Sequence, residues 1–324
     1  MKTDKSSAAE SGDLTTANRI VITGATGMIA LALIRYFLRQ ENCPEIYCVT
    51  RPNSKRTGDI PKDPAVHIIE CDLNNLEQLP FLIQSPCDVF YHFAWEGTFG
   101  DSRDNTMGQT NNIRCTLHAV QAAKILGCHS FIGAGSQAEY GRSSSKLTPD
   151  SPVNPDTAYG ICKYTAGKLS RLQCRDLGMR HIWARILSVY GPYDGENTMI
   201  MSCIRSFLKN EKLPLTKGEQ IWDYLHCDDA ARALCLMAEK GIDGAVYPLG
   251  SGIGRPLSEY ILTIRDIISP ALQPGIGDRE YSDKQVMYLC ADITSLARDT
   301  GFEPEIAFED GIRSTAAWFA ANQK

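Results

Sequence analysis

Tyr159 and Lys163 stand four residues apart in "AYGICK", one turn apart on the same face if the segment is helical. A phenol beside an ammonium can do acid–base chemistry. Tyrosine titrates near 10, and a neighbouring cation lowers such a value by roughly 1 to 3 units, which brings proton exchange toward neutrality. Ser136, at the end of the apolar run "FIGAGS", carries a hydroxyl able to donate to an alkoxide forming beside that phenol. In a chain with 13 tyrosines the spacing alone carries little weight. Its meaning depends on the elements that position these groups.

Those elements begin with "VITGATGMIALALIRYFLRQ", residues 21–40. Val21, Ile22 and Thr23 favour a strand, Gly24 to Ala30 reads as a tight turn, and a helical period runs on to Gln40. Such a turn aims backbone N–H groups and the positive end of a helix dipole at an anion, and glycine removes the side chain that would block approach. A pyrophosphate is the natural guest of Gly24, Thr26 and Gly27. Further unbroken apolar strands follow, "EIYCVT", "VHIIECD", "DVFYHFAW", "HSFIGAGS" and "RHIWARILSVYG", alternating with amphipathic helices. That alternation predicts an α/β fold: a Rossmann-type, doubly wound parallel sheet covered on both faces. The expected division is a disordered extension at 1–18, a dinucleotide-binding domain at 19–190, and a smaller mixed substrate lobe at 191–324. Segments near 222–250 are expected to pack back on the first domain.

Composition narrows the function class. A formal net charge of −5 with dispersed Lys and Arg argues against a nucleic-acid surface. No apolar run approaches the 18 or so residues of a membrane span, and "MKTDKSSAAESGDLTTANR" lacks the apolar block of a secretory signal. A soluble cytoplasmic protein is therefore expected. The 12 cysteines form no C-x-x-C pair and several sit in apolar strands, so reduced buried thiols are expected, and no metal. His92, inside "VFYHFAW", reads as a core histidine.

The end of the second strand bears on the cofactor. An NAD site usually places an acid there for the ribose hydroxyls, whereas a 2′-phosphate needs cations. Here "CVTRPNSKR" offers Thr50 and Arg51, with Lys55 and Arg56 just beyond. NADP is the preferred cofactor on this reading, with NAD the alternative.

Taken together, the glycine turn, "GSQAEYG", "AYGICK" and "RILSVYGP" resemble the extended short-chain dehydrogenase/reductase family, the nucleotide-sugar epimerases, dehydratases and reductases. The resemblance implies Tyr159 as the acid/base, Lys163 on the nicotinamide ribose and Ser136 on the reacting oxygen. It implies cofactor contacts at Met28, Ile29, Asp72, Leu73 and Ala94 as well. Asn112 either braces the active-site helix, as in the family, or is a surface asparagine. The family's dehydratases place an acidic pair directly after the Ser or Thr; here Gln137 and Ala138 fill those places. Glu139 comes one residue too late, on the opposite side of an extended chain. Dehydration is therefore disfavoured.

Arg51 then favours a reductase over an epimerase, and "YHFAWEG" and "GSQAEYG" resemble reductases of 4-keto-6-deoxy sugar nucleotides. The resemblance thus implies a small-molecule substrate of sugar-nucleotide type and a homodimer. A 4-epimerase is the alternative; a reductase of a non-nucleotide carbonyl and a non-catalytic NADP sensor stand behind it. Trp222 occupies the place where relatives often carry an arginine for the nucleotide diphosphate, leaving Arg205, Lys217 and Arg255 as replacement cations. Trp95, Glu96 and Thr98 follow a strand's carboxyl end, where they would touch substrate or simply form a loop.

Overall fold

The computed structural model describes residues 17–282 and 285–322. The expected disordered extension lies outside the described residues up to residue 16. Asn18 is already tied in: its N–H donates to Asp88 Oδ2 at 2.8 Å, and its carbonyl accepts from Glu45 N.

The chain runs β1 (Arg19–Thr23), α1 (Met28–Leu38), β2 (Glu45–Thr50), β3 (Val66–Glu70), β4 (Val89–His92), α2 (Thr106–Ile125), β5 (Ser130–Ser136), α3 (Ala158–Asp176) and β6 (Arg180–Ile186). It continues with α4 (Met199–Leu208), α5 (Cys227–Lys240), β7 (Val246–Leu249), α6 (Leu257–Ile268), α7 (Thr294–Thr300) and α8 (Phe308–Asn322). Seven strands form one sheet in the order β7-β6-β5-β4-β1-β2-β3, every pair parallel. The expected doubly wound α/β fold is therefore what the chain adopts.

The strands read as continuous apolar runs because both faces are covered. Ile20 and Ile22 join a core with Leu31 of α1 and Leu234 of α5, while Val21 faces the other way, into a core with Ala119 and Val120 of α2. Within 222–250, α5 lies against α1 and β7 extends the sheet beyond β6. The later helices make a separate core of Ile204, Phe207, Tyr260, Ile264 and Phe308. Short strand pairs stitch this region together, among them Ser188–Tyr190 with Tyr224–His226, and Ile221–Trp222 with Arg255–Pro256.

The order of strands fixes where a ligand can sit. The chain moves outward from β1 to β2 and β3, then returns to β1's other side with β4. At such a reversal the connections leave in opposite directions and a crevice opens at the carboxyl ends of β1 and β4. Among the described residues no helix is long and apolar enough to cross a membrane.

Candidate active site

A cleft of about 630 Å³ opens at that crevice. Gly24, Gly27, Met28 and Ile29 line it together with Trp95, Ser136, Gln137, Tyr159, Lys163, Trp222 and Tyr224. Gly24 holds φ at +67°, and a Cβ there would lie 2.8 Å from Ala94 N, so this position admits glycine for both reasons. Gly27 then caps α1 with no side-chain hydrogen bond, which leaves first-turn N–H groups free to meet an anion. The residues present thus fit a dinucleotide: a glycine cradle, an uncapped helix start, and a cleft running from there to Tyr159 and Lys163.

Thr157 starts α3 by accepting from Gly160 N at 3.1 Å, and the helix carries Tyr159 and Lys163 into the cleft. Both are nearly buried, at 9% and 4% exposure. Lys163 Nζ donates to Ala134 O at 2.7 Å and lies 3.9 Å from the centre of the Trp95 ring. Burial pulls its ammonium down to about 7, against a smaller upward pull from Glu139. For Tyr159 the expectation of a lowered value is corrected. Burial raises it, and the opposing influences are hydrogen bonding toward Ser136 and the charge of Arg103. Lys163 lies 5.9 Å from the phenol ring, whereas Arg103 sits over it at 4.5 Å. The phenol is therefore protonated at neutral pH.

Ser136 ends β5 and opens a turn of 3-10 helix, Gln137–Glu139, as a capping box. Its Oγ accepts from Ala138 N at 3.2 Å, and Glu139 Oε1 accepts from Ser136 N at 2.8 Å. Glu139 is thus not on an extended chain, as the sequence reading had it. It is wholly buried, accepting from Trp183 Nε1 at 2.9 Å and from Arg185 Nε at 2.7 Å. Its carboxylate fixes the Ser136 backbone and is turned away from the cleft wall.

Asn112 is buried on α2, but it braces the loop after β4 and not the active-site helix. Its Oδ1 accepts from Glu96 N and its Nδ2 donates to Glu96 O, both at 3.0 Å. The Glu96 side chain is exposed, while Trp95 turns inward and donates to Gln109 Oε1 at 2.9 Å. His92 is buried between the Thr23 and Thr116 hydroxyls, at 2.9 and 3.3 Å, and burial pushes it down to about 3.

Several expected site residues lie off the cleft wall. Thr26, inside the glycine turn, and Ala94, packed against Gly24, do not line the cleft. Arg51 is exposed beyond β2; Asp72 accepts from Asn74 N at 2.9 Å, and Leu73 packs on the α2 side of the sheet. Of the replacement cations, Arg205 donates to Glu196 O at 3.2 Å and Arg255 pairs with Glu309 at 3.7 Å, beside Trp222 in strand register. Lys217 does not line the cleft either. Trp222 does, with its indole donating to Ser188 Oγ at 2.8 Å.

Arg56, one of the cations expected beyond β2, reaches the cleft wall while pairing with Asp59 at 3.2 Å. The cleft also holds an acid that sequence reasoning missed. Asp194 follows Tyr193, which sits at φ +70°; burial raises the Asp194 carboxyl to about 6, against hydrogen bonds from Thr198 and Gly195. One acid within a loop has no spacing signature. All twelve cysteines are free, and all but Cys43 are buried. Among the described residues one group of metal-ligating types comes together, His226, Cys227 and Asp228, and there the imidazole already accepts the Asp228 N–H at the start of α5.

A glycine turn at the switch point of a parallel sheet, with a buried Ser-Tyr-Lys set on the facing wall, defines a dinucleotide-dependent α/β enzyme. The model of the NAD dependent epimerase/dehydratase family matches residues 20–250, and the chain belongs to that family. The resemblance to the extended short-chain dehydrogenases/reductases is borne out. A dTDP-glucose 4,6-dehydratase of Salmonella typhimurium is 24% identical over 345 aligned positions, covering 94% of this chain and 93% of that protein. Among solved structures, a UDP-N-acetylglucosamine 4-epimerase of Methanobrevibacter ruminantium superposes with a TM-score of 0.85 at 21% identity, over 95% of this chain and 99% of that one. RMD from Pseudomonas aeruginosa, solved with NADPH, gives 0.77 at 20%, over 93% and 99%. These two likenesses concern the fold.

Proposed function

We propose that the protein reduces the 4-keto group of a 6-deoxy sugar nucleotide, using NADPH as the preferred cofactor. The observation that carries this is the make-up of the cleft: the Tyr159 phenol and Ser136 line it together with the glycine turn, and Gln137, not an acid, follows Ser136 there. A reductase needs a proton donor at the outset. The bound dinucleotide would supply the hydride, held by the Gly24–Ile29 turn, with Lys163 on its ribose and Arg51 and Arg56 on the 2′-phosphate side. Tyr159 gives its proton to the oxygen that gains charge as the ketone is reduced, and the Ser136 hydroxyl hydrogen-bonds the same oxygen. Lys163 eases the return of that proton from solvent.

Gln137 and Ala138, where a dehydratase needs acids, and the sequestered Glu139 support reduction over loss of water. Trp95, Gln137 and Trp222 line the same cleft and would meet the substrate. Exposed Leu169 and Leu172 of α3 flank a groove against Leu117 of α2, a surface suited to the expected homodimer.

The test is cofactor preference and fate. The purified protein is titrated with NADPH and NADH by fluorescence, then offered a panel of 4-keto-6-deoxy sugar nucleotides. Tight NADPH binding with one-for-one oxidation is the expected result. Co-purified NAD with no net consumption would overturn the reductase reading in favour of a 4-epimerase.

A further inference from the structure

The cation nearest the reactive phenol is not the lysine of the Tyr-Lys pair. Arg103, on the short helical turn Gly100–Asp104, places its guanidinium carbon 4.5 Å from the centre of the Tyr159 ring. Lys163 is farther, at 5.9 Å, bonded to the Ala134 carbonyl and seated on Trp95 instead. Trp95 meets the Tyr159 ring edge-on at 6.1 Å. The phenol is thus covered by a guanidinium and bordered by an indole.

This placement is built, not incidental to a loose loop. Gln109, itself 1% exposed, donates to Gly97 O at 2.7 Å and to Ser102 O at 3.0 Å, pinning the loop that leads directly into Arg103. Asp104 Oδ1 accepts from Ala158 N at 3.3 Å, tying the next residue to the helix turn that bears Tyr159. Among the described residues Arg56 and Arg255 have carboxylate partners, whereas Arg103 has none. Its charge is therefore available to the ring it covers.

We propose that Arg103 is a positioning residue that supplies the positive charge for the proton-donating phenol of Tyr159, a task separate from the ribose-binding task of Lys163. The inference rests on Tyr159 being the proton donor. The groups around the ring are Arg103 and Asp104 from the loop, Ser136 and Glu139 from the end of β5, and Lys163 from its own helix. Glu139 is compensated by Arg185, Asp104 is spent on a backbone N–H, and Lys163 loses its charge readily because it is buried. Arg103 keeps its charge at any pH the protein tolerates. A cation held on an aromatic face favours the electron-rich phenolate, so it makes Tyr159 the stronger acid when a proton must leave.

The experiment reads the phenol directly and needs no substrate. Near-ultraviolet phenolate absorbance is titrated in the parent protein and in Tyr159→Phe, and the difference isolates Tyr159. The titration covers the range over which far-ultraviolet circular dichroism holds. Arg103→Met is expected to move the Tyr159 midpoint upward by about 1 unit, and Arg103→Lys to restore most of it. If Arg103→Met does not fold, Arg103→Gln gives the same reading. An unchanged or lowered midpoint, no restoration by lysine, or no Tyr159 titration in the parent before unfolding would each overturn the proposal. An enzyme that turned out to be an epimerase would still give the shift, so the two readings fail separately.

Discussion

Replacing Lys163 with methionine is expected to make the protein more stable at neutral and mildly acidic pH, while removing its activity. The side chain is 4% exposed, and burial pulls its ammonium from 10.5 down to about 7. Because the folded value lies below the unfolded one, the unfolded chain binds more protons between those limits, and stability rises with pH across that window. Below about pH 7 both states carry the proton, and the native state bears the whole cost of a buried charge. A gap of about 3.5 units at 1.36 kcal/mol per unit makes that cost about 5 kcal/mol. Against it stand the hydrogen bond to Ala134 O and the contact with Trp95, each about 1 kcal/mol.

The variant should therefore gain about 3 kcal/mol near pH 6, lose the gain as pH rises, and fall below the parent near pH 10. Urea unfolding midpoints of both proteins, measured across that range, check this. Cysteines and other groups that titrate there do so in both proteins and cancel in the difference. Two curves running parallel from pH 6 to 10, or a variant less stable at pH 6, would refute the idea that this ammonium is held at the expense of the fold. Charged groups kept where they destabilise are what functional sites require.

Tyr159→Phe should leave dinucleotide binding, measured by fluorescence, within about twofold of the parent and lower turnover by at least about 10²-fold, the contribution of a positioned general acid; surviving turnover would remove Tyr159 from its role. Glu139→Gln leaves the buried Arg185 without its counter-charge and should cost about 3 to 5 kcal/mol, read as a fall in thermal midpoint of roughly 10 °C. An unchanged midpoint would mean the pair contributes nothing net. Gly24→Ala sets a Cβ 2.8 Å from Ala94 N at a positive φ, so calorimetry should show dinucleotide affinity reduced by about tenfold or more, as roughly 1 to 3 kcal/mol of strain implies. Wild-type affinity would show that the segment just after β4 can yield.

Periodicity made the sheet legible because burial on both faces forces it: Ile20, Val21 and Ile22 must all be apolar when α1 covers one side and α2 the other. The glycine turn was legible for a related reason, since Gly24 faces a backbone that no side chain can approach. What could not be read were partners set by long-range packing. The i,i+4 spacing put Tyr159 and Lys163 on one helix face, yet it could not reveal that Lys163 turns to Ala134 and Trp95 while Arg103 comes in from a loop more than fifty residues upstream. Glu139 illustrates the same limit: counting residues along an assumed extended chain turned it away from the cleft for the wrong reason, because the capping box at Ser136 converts that stretch to a helical turn. Electrostatics depends on both distance and burial, and neither is a property of spacing. Sequence therefore proposes which groups exchange a proton, while the fold shows which cation lies nearest the phenol.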